Sequence, residues 1–233
     1  MEGESIPYID SVFMNIDNPS IPYNWRTRKQ PIYRLLNKKQ WLDNFFDSGE
    51  LNLSCFSKFR NYPNEIQGDR EEGDALIWFE DKKGDTHAIK YEAGLNSYIL
   101  CCSLELNERI IKDFNAIGAI KINNPTFFSL EVMSKIENCT QGIEGICNYE
   151  DSRIFHNKSE KLKSLLDNKD FINDPLFINQ FLIETGENEL FLKKNLYEYQ
   201  KEYRMLWFTT NKIEESIIIK CPDAIRFCER INF

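Results

Sequence analysis

Long apolar runs are the first thing this sequence lacks. None approaches the ~20 residues that a membrane-spanning helix needs. The opening MEGESIPYID is acidic and has no apolar core, so no secretory signal is expected. Seven cysteines are present without a CxxC pair, and only Cys101 and Cys102 are adjacent. Their odd number and scattered spacing predict free thiols, and hence a reducing, cytoplasmic setting. The two histidines, His87 and His156, are too far apart for a local zinc motif. No G-x-S-x-G elbow supports a serine hydrolase. Positive charge is also short, with 29 Lys and Arg against 37 Asp and Glu and a net charge of -8. That disfavours a broad, non-specific grip on nucleic acid.

What is present suits a folded chain. Hydrophobic residues make up 42% and charged residues 28%, with 17 Phe and 10 Tyr, enough for a sizeable core. No internal repeat or linker divides the 233 residues, so a single domain over 1–233 is expected. Within it, 1–30 reads as an irregular N-terminal segment, punctuated by Pro7, Pro19 and Pro22 and packed on the body through its aromatics.

Periodicity then predicts the elements. Strands are expected at Ile32–Leu35, Leu51–Ser54, Ser97–Leu104, Ala116–Ile122, Tyr203–Thr209 and Ser216–Lys220. Weaker strands fall at Ile143–Tyr149, Arg153–Phe155 and Ile225–Ile231. Ala75–Glu80 and Thr86–Tyr91 flank Lys83-Gly84-Asp85 as a hairpin. Helices are expected at Lys38–Ser48 with Gly49 as its stop, at Asn107–Phe114, and from Asn124-Pro125 to Ile136. Lys158–Leu166, Asp174–Ile183 and Glu187–Lys194 are further helix candidates. Helices do not alternate regularly with strands, so the class is α+β, a mixed or antiparallel sheet with several short helices.

Four stretches could carry chemistry. Tyr33-Arg34 offers a guanidinium fork suited to phosphate or carboxylate, although a solvated strand end accounts for it more simply. Leu53 to Arg60 sets Ser54 and Ser57 among aromatics, as in a nucleotide pocket, or is a strand turning into a loop with core Phe. Gly68 to Asp74 gathers Asp69, Glu71, Glu72 and Asp74. It reads as a solvated acidic loop or, less readily, as the metal site of a nuclease. In Glu202-Tyr203-Arg204-Met205-Leu206-Trp207, alternation puts Glu202 and Arg204 on one face of a strand. They either pair with each other or present a catalytic carboxylate.

Several of these blocks resemble the DUF2971-type bacterial proteins: Ile32-Tyr33-Arg34, Leu51 to Arg60, Ile99 to Ser103, Asn148-Tyr149-Glu150-Asp151 and Lys201-Glu202-Tyr203-Arg204. Their order is also similar to that of toxin-type ADP-ribosyltransferases, which carry an early Arg on a strand, then a Ser-bearing strand, then a late catalytic Glu. The Ser-Thr-Ser triplet is absent, and Gln200 stands two residues before Glu202, as in some members. The resemblance implies an ADP-ribosyltransferase-like fold and NAD as substrate, with no metal. It gives Glu202 as the catalytic residue, Arg34 on the pyrophosphate, and Ser54 or Ser57 at the nicotinamide ribose. Tyr33, Arg60 and Tyr203 are secondary binding candidates. The acceptor would be protein or nucleic acid, and the setting a toxin or antiphage effector with an antitoxin or other protein partner. A non-enzymatic binding or inhibitor protein of a defence system is the alternative.

Overall fold

A computed structural model describes residues 12–15, 30–61, 71–80, 83–152, 154–156, 164, 176 and 188–233. In chain order the elements are β1 (Val12–Asn15), β2 (Ile32–Leu36), α1 (Lys39–Ser48), β3 (Glu50–Cys55), α2 (Phe56–Arg60), β4 (Asp74–Glu80), β5 (Thr86–Glu92), β6 (Ser97–Ser103), α3 (Glu108–Asp113), β7 (Gly118–Ile122), α4 (Pro125–Met133), β8 (Cys139–Ile146), β9 (Asn148–Tyr149), β10 (Ile154–His156), β11 (Leu192–Lys193), β12 (Glu202–Thr209), β13 (Ile217–Lys220) and β14 (Cys228–Asn232). Short 3-10 turns occupy Asn188–Phe191, Asn195–Gln200 and Pro222–Phe227.

Two helices begin at an asparagine cap, and one ends at a glycine. Asn107 accepts a hydrogen bond from the Ile110 amide at 2.9 Å to cap α3, and Asn124 accepts from the Phe127 amide at 3.2 Å to cap α4. Gly49 closes α1 in the left-handed region at φ 72°, its amide donating to the Phe45 carbonyl at 2.7 Å.

The principal sheet runs β1-β8-β12-β6-β2-β7-β14, with β3 and β13 branching from it, and every pairing in it is antiparallel. Two smaller sheets contain the parallel pairings, β10 beside β4 and β11 beside β9. The class is α+β. β12 lies between β6 and β8, and both of its faces are covered. On one face Tyr203, Met205 and Trp207 join Leu100, Ile120 and Phe128 in the main core beneath α1 and α4. The Trp207 indole donates to the Ser129 carbonyl at 3.1 Å. On the other, Leu206 packs with Ile99, Ile143, Phe56 and Phe191.

Several expectations change. Phe56–Arg60 is a short helix rather than a loop, because Phe56 is fully buried while Lys58 and Arg60 fall in the last turn, where cations suit a helix end. The 1–30 segment is not wholly irregular, since β1 pairs with β8 from Val12↔Glu144 to Asn15↔Gln141. α4 stops at Met133, and i→i+3 bonds such as Ile136 to Met133 finish it. In place of the helix expected over 187–194, Asn188–Phe191 forms a 3-10 turn and Leu192–Lys193 forms β11, with Lys193 opposite Tyr149. Ile225–Ile231 divides between a 3-10 turn and β14. Of the helices expected over 158–166 and 174–183, only Ser164 and Leu176 are described, both helical; Gly68, Asp69 and Arg70 lie outside the described residues.

Candidate functional site

The principal sheet forks along one edge of β6. Two strands share β6: β3 pairs at Ser54↔Ile99 and Cys55↔Tyr98, while β2 pairs at Tyr33↔Ser103. Between these contacts the strands diverge and a cleft of about 260 Å³ opens. Arg34, Ser54, Cys101, Glu202 and Arg204 line it, together with Asn52, Lys58, Glu72 and Lys193. In the gap, the Arg34 guanidinium donates to the Cys101 carbonyl at 2.9 Å.

Residue parity places the walls. Ser54 stands opposite Ile99 and Ile99 opposite Leu206, so Ser54 shares a face with Leu206, Arg204 and Glu202. Arg34 stands opposite Ile120, a core residue beneath the helices, and so starts from the other face. Arg34 and Glu202 therefore meet the cleft from opposite sides of the sheet.

Glu202 is the hub of a buried ion network. One carboxylate oxygen accepts from Arg204 Nε at 2.6 Å and the other from Lys193 Nζ at 2.5 Å. Lys193 also donates to Gln200 Oε1 at 2.7 Å. Arg204 Nη1 pairs with Glu72 at 2.7 Å and donates to the Leu190 carbonyl. Glu202 is 6% exposed, Lys193 9%, Glu72 3% and Arg204 1%. The Glu202 amide donates to the Tyr149 hydroxyl at 2.7 Å. Immediately before it, Lys201 takes a left-handed conformation at φ 42°, a turn that a residue with a Cβ adopts at a cost of about 1–2 kcal/mol.

These contacts set the charge states. Burial alone would raise the Glu202 pKa; the Lys193 and Arg204 charges overcome it and hold the carboxyl well below its ordinary range. Burial likewise works against the Lys193 ammonium, but Glu202 outweighs it and its pKa stands above the usual value. Burial pushes the Cys102 thiol up to about 12, and raises Cys101 beside it. Neither thiol is a ready nucleophile.

Of the residues proposed from sequence, Glu202, Arg34 and Ser54 come together in the cleft. The others do not. Tyr203 points into the helix-covered core because its parity is opposite to that of Glu202. Tyr33 stands opposite Ser103, and Ser103 opposite Glu202, so it starts from the Glu202 face but does not line the cleft. Ser57 donates to the Ile213 carbonyl at 3.3 Å on the outside of α2. Arg60 is a clasp: its Nε donates to the Glu72 carbonyl at 2.7 Å, and its other nitrogens pair with Glu92 at 3.1 Å and Asp74 at 3.7 Å.

The described part of the acidic stretch is held in ion pairs. Glu71 pairs with Lys194 at 2.9 Å, Glu72 with Arg204, and Asp74 with Arg60 and Lys90. Among the described residues no group of His, Cys, Asp and Glu has the arrangement of a metal site. Of the four carboxylates expected of a nuclease, Glu71, Glu72 and Asp74 are each paired with a cation, and Asp69 lies outside the described residues. Among the described residues no helix is long and apolar enough to cross a membrane.

Sequence reasoning missed Lys193, read Gln200 only as a motif position, and took Glu72 for a solvated residue of its loop, where it is buried. The available signal was a lysine closing the apolar run Leu190-Phe191-Leu192, where its stem is buried and its ammonium needs a carboxylate. The chain matches no protein-family model, no curated protein and no solved structure.

Proposed function

We propose that the forked cleft binds NAD and that the protein is an ADP-ribosyltransferase-like enzyme. The observation that carries this reading is the meeting of Arg34, Ser54 and Glu202, from three distant parts of the chain, around one cleft of about 260 Å³. The blocks that resemble the DUF2971-type proteins also converge there: Arg34 and Cys101 share a hydrogen bond, and Tyr149 meets Glu202.

The chemistry would be cleavage of the bond between the ribose C1′ and the nicotinamide nitrogen. The bonding pair leaves with the ring, whose positive charge it cancels. The oxocarbenium-like ribose is then taken by an acceptor oxygen or nitrogen, which gives up a proton. Glu202 is ionised throughout the physiological range and can accept a hydrogen bond from the ribose 2′-hydroxyl. Arg34 has no carboxylate partner among the described residues, which suits it to the pyrophosphate. Ser54 would orient the nicotinamide ribose. Tyr203, Tyr33, Ser57 and Arg60 have no direct part. The acceptor would be protein or nucleic acid, and the setting a toxin or antiphage effector with a protein partner. All seven cysteines are free thiols, which accords with the cytoplasm.

One observation favours the alternative, a binding protein without turnover. Both oxygens of Glu202 are already engaged by cations, as in a purely structural hub. Purified protein incubated with NAD⁺ separates the two. Release of nicotinamide by the wild type, lost in Arg34→Ala and in Glu202→Asp, supports the transferase. A thermal shift with NAD⁺ but no release, with or without added protein and nucleic-acid acceptors, supports the binder. The absence of both nicotinamide release and a thermal shift would sink the NAD reading.

A further inference from the structure

The charges of the cleft are unevenly distributed. Arg34, Lys58, Lys193 and Arg204 line it against Glu72 and Glu202. At the Glu202 end, two cations lie within 2.6 Å of the carboxylate oxygens, and Glu72 balances the second of them. That end is therefore neutral as a unit, and its carboxylate has no spare charge for a cation in a ligand. Lys58 is held at 2.5 Å by the exposed Glu215, which leaves Arg34 as the cation of the cleft without a carboxylate partner among the described residues.

We infer that the Lys193 ammonium turns the Glu202 end of the cleft against a cationic ring, so that the uncharged dihydronicotinamide of NADH is held more tightly than the pyridinium of NAD⁺. This rests on the proposed reading that a nicotinamide dinucleotide lies in the cleft with its nicotinamide end at Glu202. The two forms have nearly the same shape and the same pyrophosphate for Arg34, so the ring charge is what separates them. Lys193 and Arg204 lie within 2.6 Å of the Glu202 oxygens, and Glu72 balances Arg204, so a ring placed there meets a unit without net charge. The pyridinium, which gives up its hydration to enter, gains nothing in return. NADH is then a competitive ligand, and the ratio of the two forms regulates occupancy.

The test is calorimetric titration of the full chain with NADH and with NAD⁺, in the wild type, Lys193→Gln and Lys193→Arg. The wild type is expected to favour NADH by roughly tenfold, the scale of one partly screened unit charge. Lys193→Gln frees the negative charge of Glu202 and should erase or reverse that preference. Lys193→Arg should restore it, which a merely structural role for Lys193 would not predict. Melting temperatures show that each variant is folded at the temperature of titration. If NAD⁺ binds as tightly as NADH in the wild type, or if Lys193→Gln leaves the ratio unchanged, the charge selectivity is wrong while the NAD site stands. If neither dinucleotide binds, both readings fail.

Discussion

Replacing Glu202 with Gln tests the ion network and the catalytic reading together, and its larger effect is expected on stability. The variant keeps the shape of the side chain and removes its charge. Lys193 and Arg204 then share one buried carboxylate, Glu72, where before there were two. Removing one partner of a buried ion pair costs about 3–5 kcal/mol, because the remaining charge stays buried without compensation. The amide oxygen can still accept from one of the two cations, so the lower part of that range applies. For a chain of this size each 1 kcal/mol moves the melting temperature by about 2–4 °C, so a fall of roughly 6–12 °C is expected. Urea unfolding at neutral pH should show a lower midpoint and an unchanged slope. Adding Lys193→Met to Glu202→Gln should recover part of the loss, because the orphaned ammonium is gone, with a coupling of about 0.5–3 kcal/mol across the double-mutant cycle. A Glu202→Gln protein that melts within about 2 °C of the wild type would refute the network, since the bare amide cannot replace two charge-assisted hydrogen bonds.

Acid should unfold the wild type through the same residue. An unfolded glutamate titrates near pH ~4.3, whereas folded Glu202 keeps its charge well below that. The unfolded chain thus binds the proton first, so this stability is complete above pH ~4.3 and drains away as pH falls toward the folded value. Urea midpoints between pH 7 and 3 should drop more steeply for the wild type than for Glu202→Gln, and parallel curves would count against the assignment. Gly49→Ala should destabilise by about 2–4 kcal/mol, because a Cβ there stands 2.3 Å from the Pro222 nitrogen on a residue already at φ +72°. Gly84→Ala, at φ +85° with nothing within 4 Å, should cost only the conformational part, about 1–2 kcal/mol. Equal losses in chemical denaturation would show that packing against Pro222 contributes nothing.

Local chemistry was legible in the sequence, and long-range choice of partner was not. The alternation of β12 placed Tyr203, Met205 and Trp207 on one face and Glu202 with Arg204 on the other, and the helix-covered core receives the first set. The cap at Asn124, the stop at Gly49 and the hairpin around Gly84 follow from backbone preferences that a few adjacent residues fix. The fork at β6 does not, because periodicity tells a strand which face to bury and says nothing of which strands compete for an edge. Glu72 illustrates the same limit. A charge run normally prefers water, and Glu72 leaves it only because Arg204 waits inside the fold. Lys193 was hidden for a related reason: by sequence the lysine belongs to the end of a helix candidate, and by charge to Glu202.

The network also constrains what the cleft can do. A carboxylate that must stabilise a developing positive charge works best alone, in a site of low dielectric. Glu202 instead stands between an ammonium and a guanidinium, each with a further partner in Gln200 or Glu72. Such bracing fixes the position of the carboxylate closely and keeps it ionised, but it weakens the field that the carboxylate projects. The position of Glu202 is therefore better suited to holding a ribose hydroxyl than to pulling on a cation. If turnover occurs, much of its barrier lowering must come from orientation, with Arg34 anchoring the phosphates from the far side of the sheet and Ser54 and Glu202 holding the ribose from the near side. Arg34→Ala should then reduce kcat as well as raise KM for NAD⁺, because phosphate anchoring is used to align the reacting bond. A rise in KM alone, with kcat intact, would mean that Arg34 only tethers the substrate and that the alignment argument is wrong.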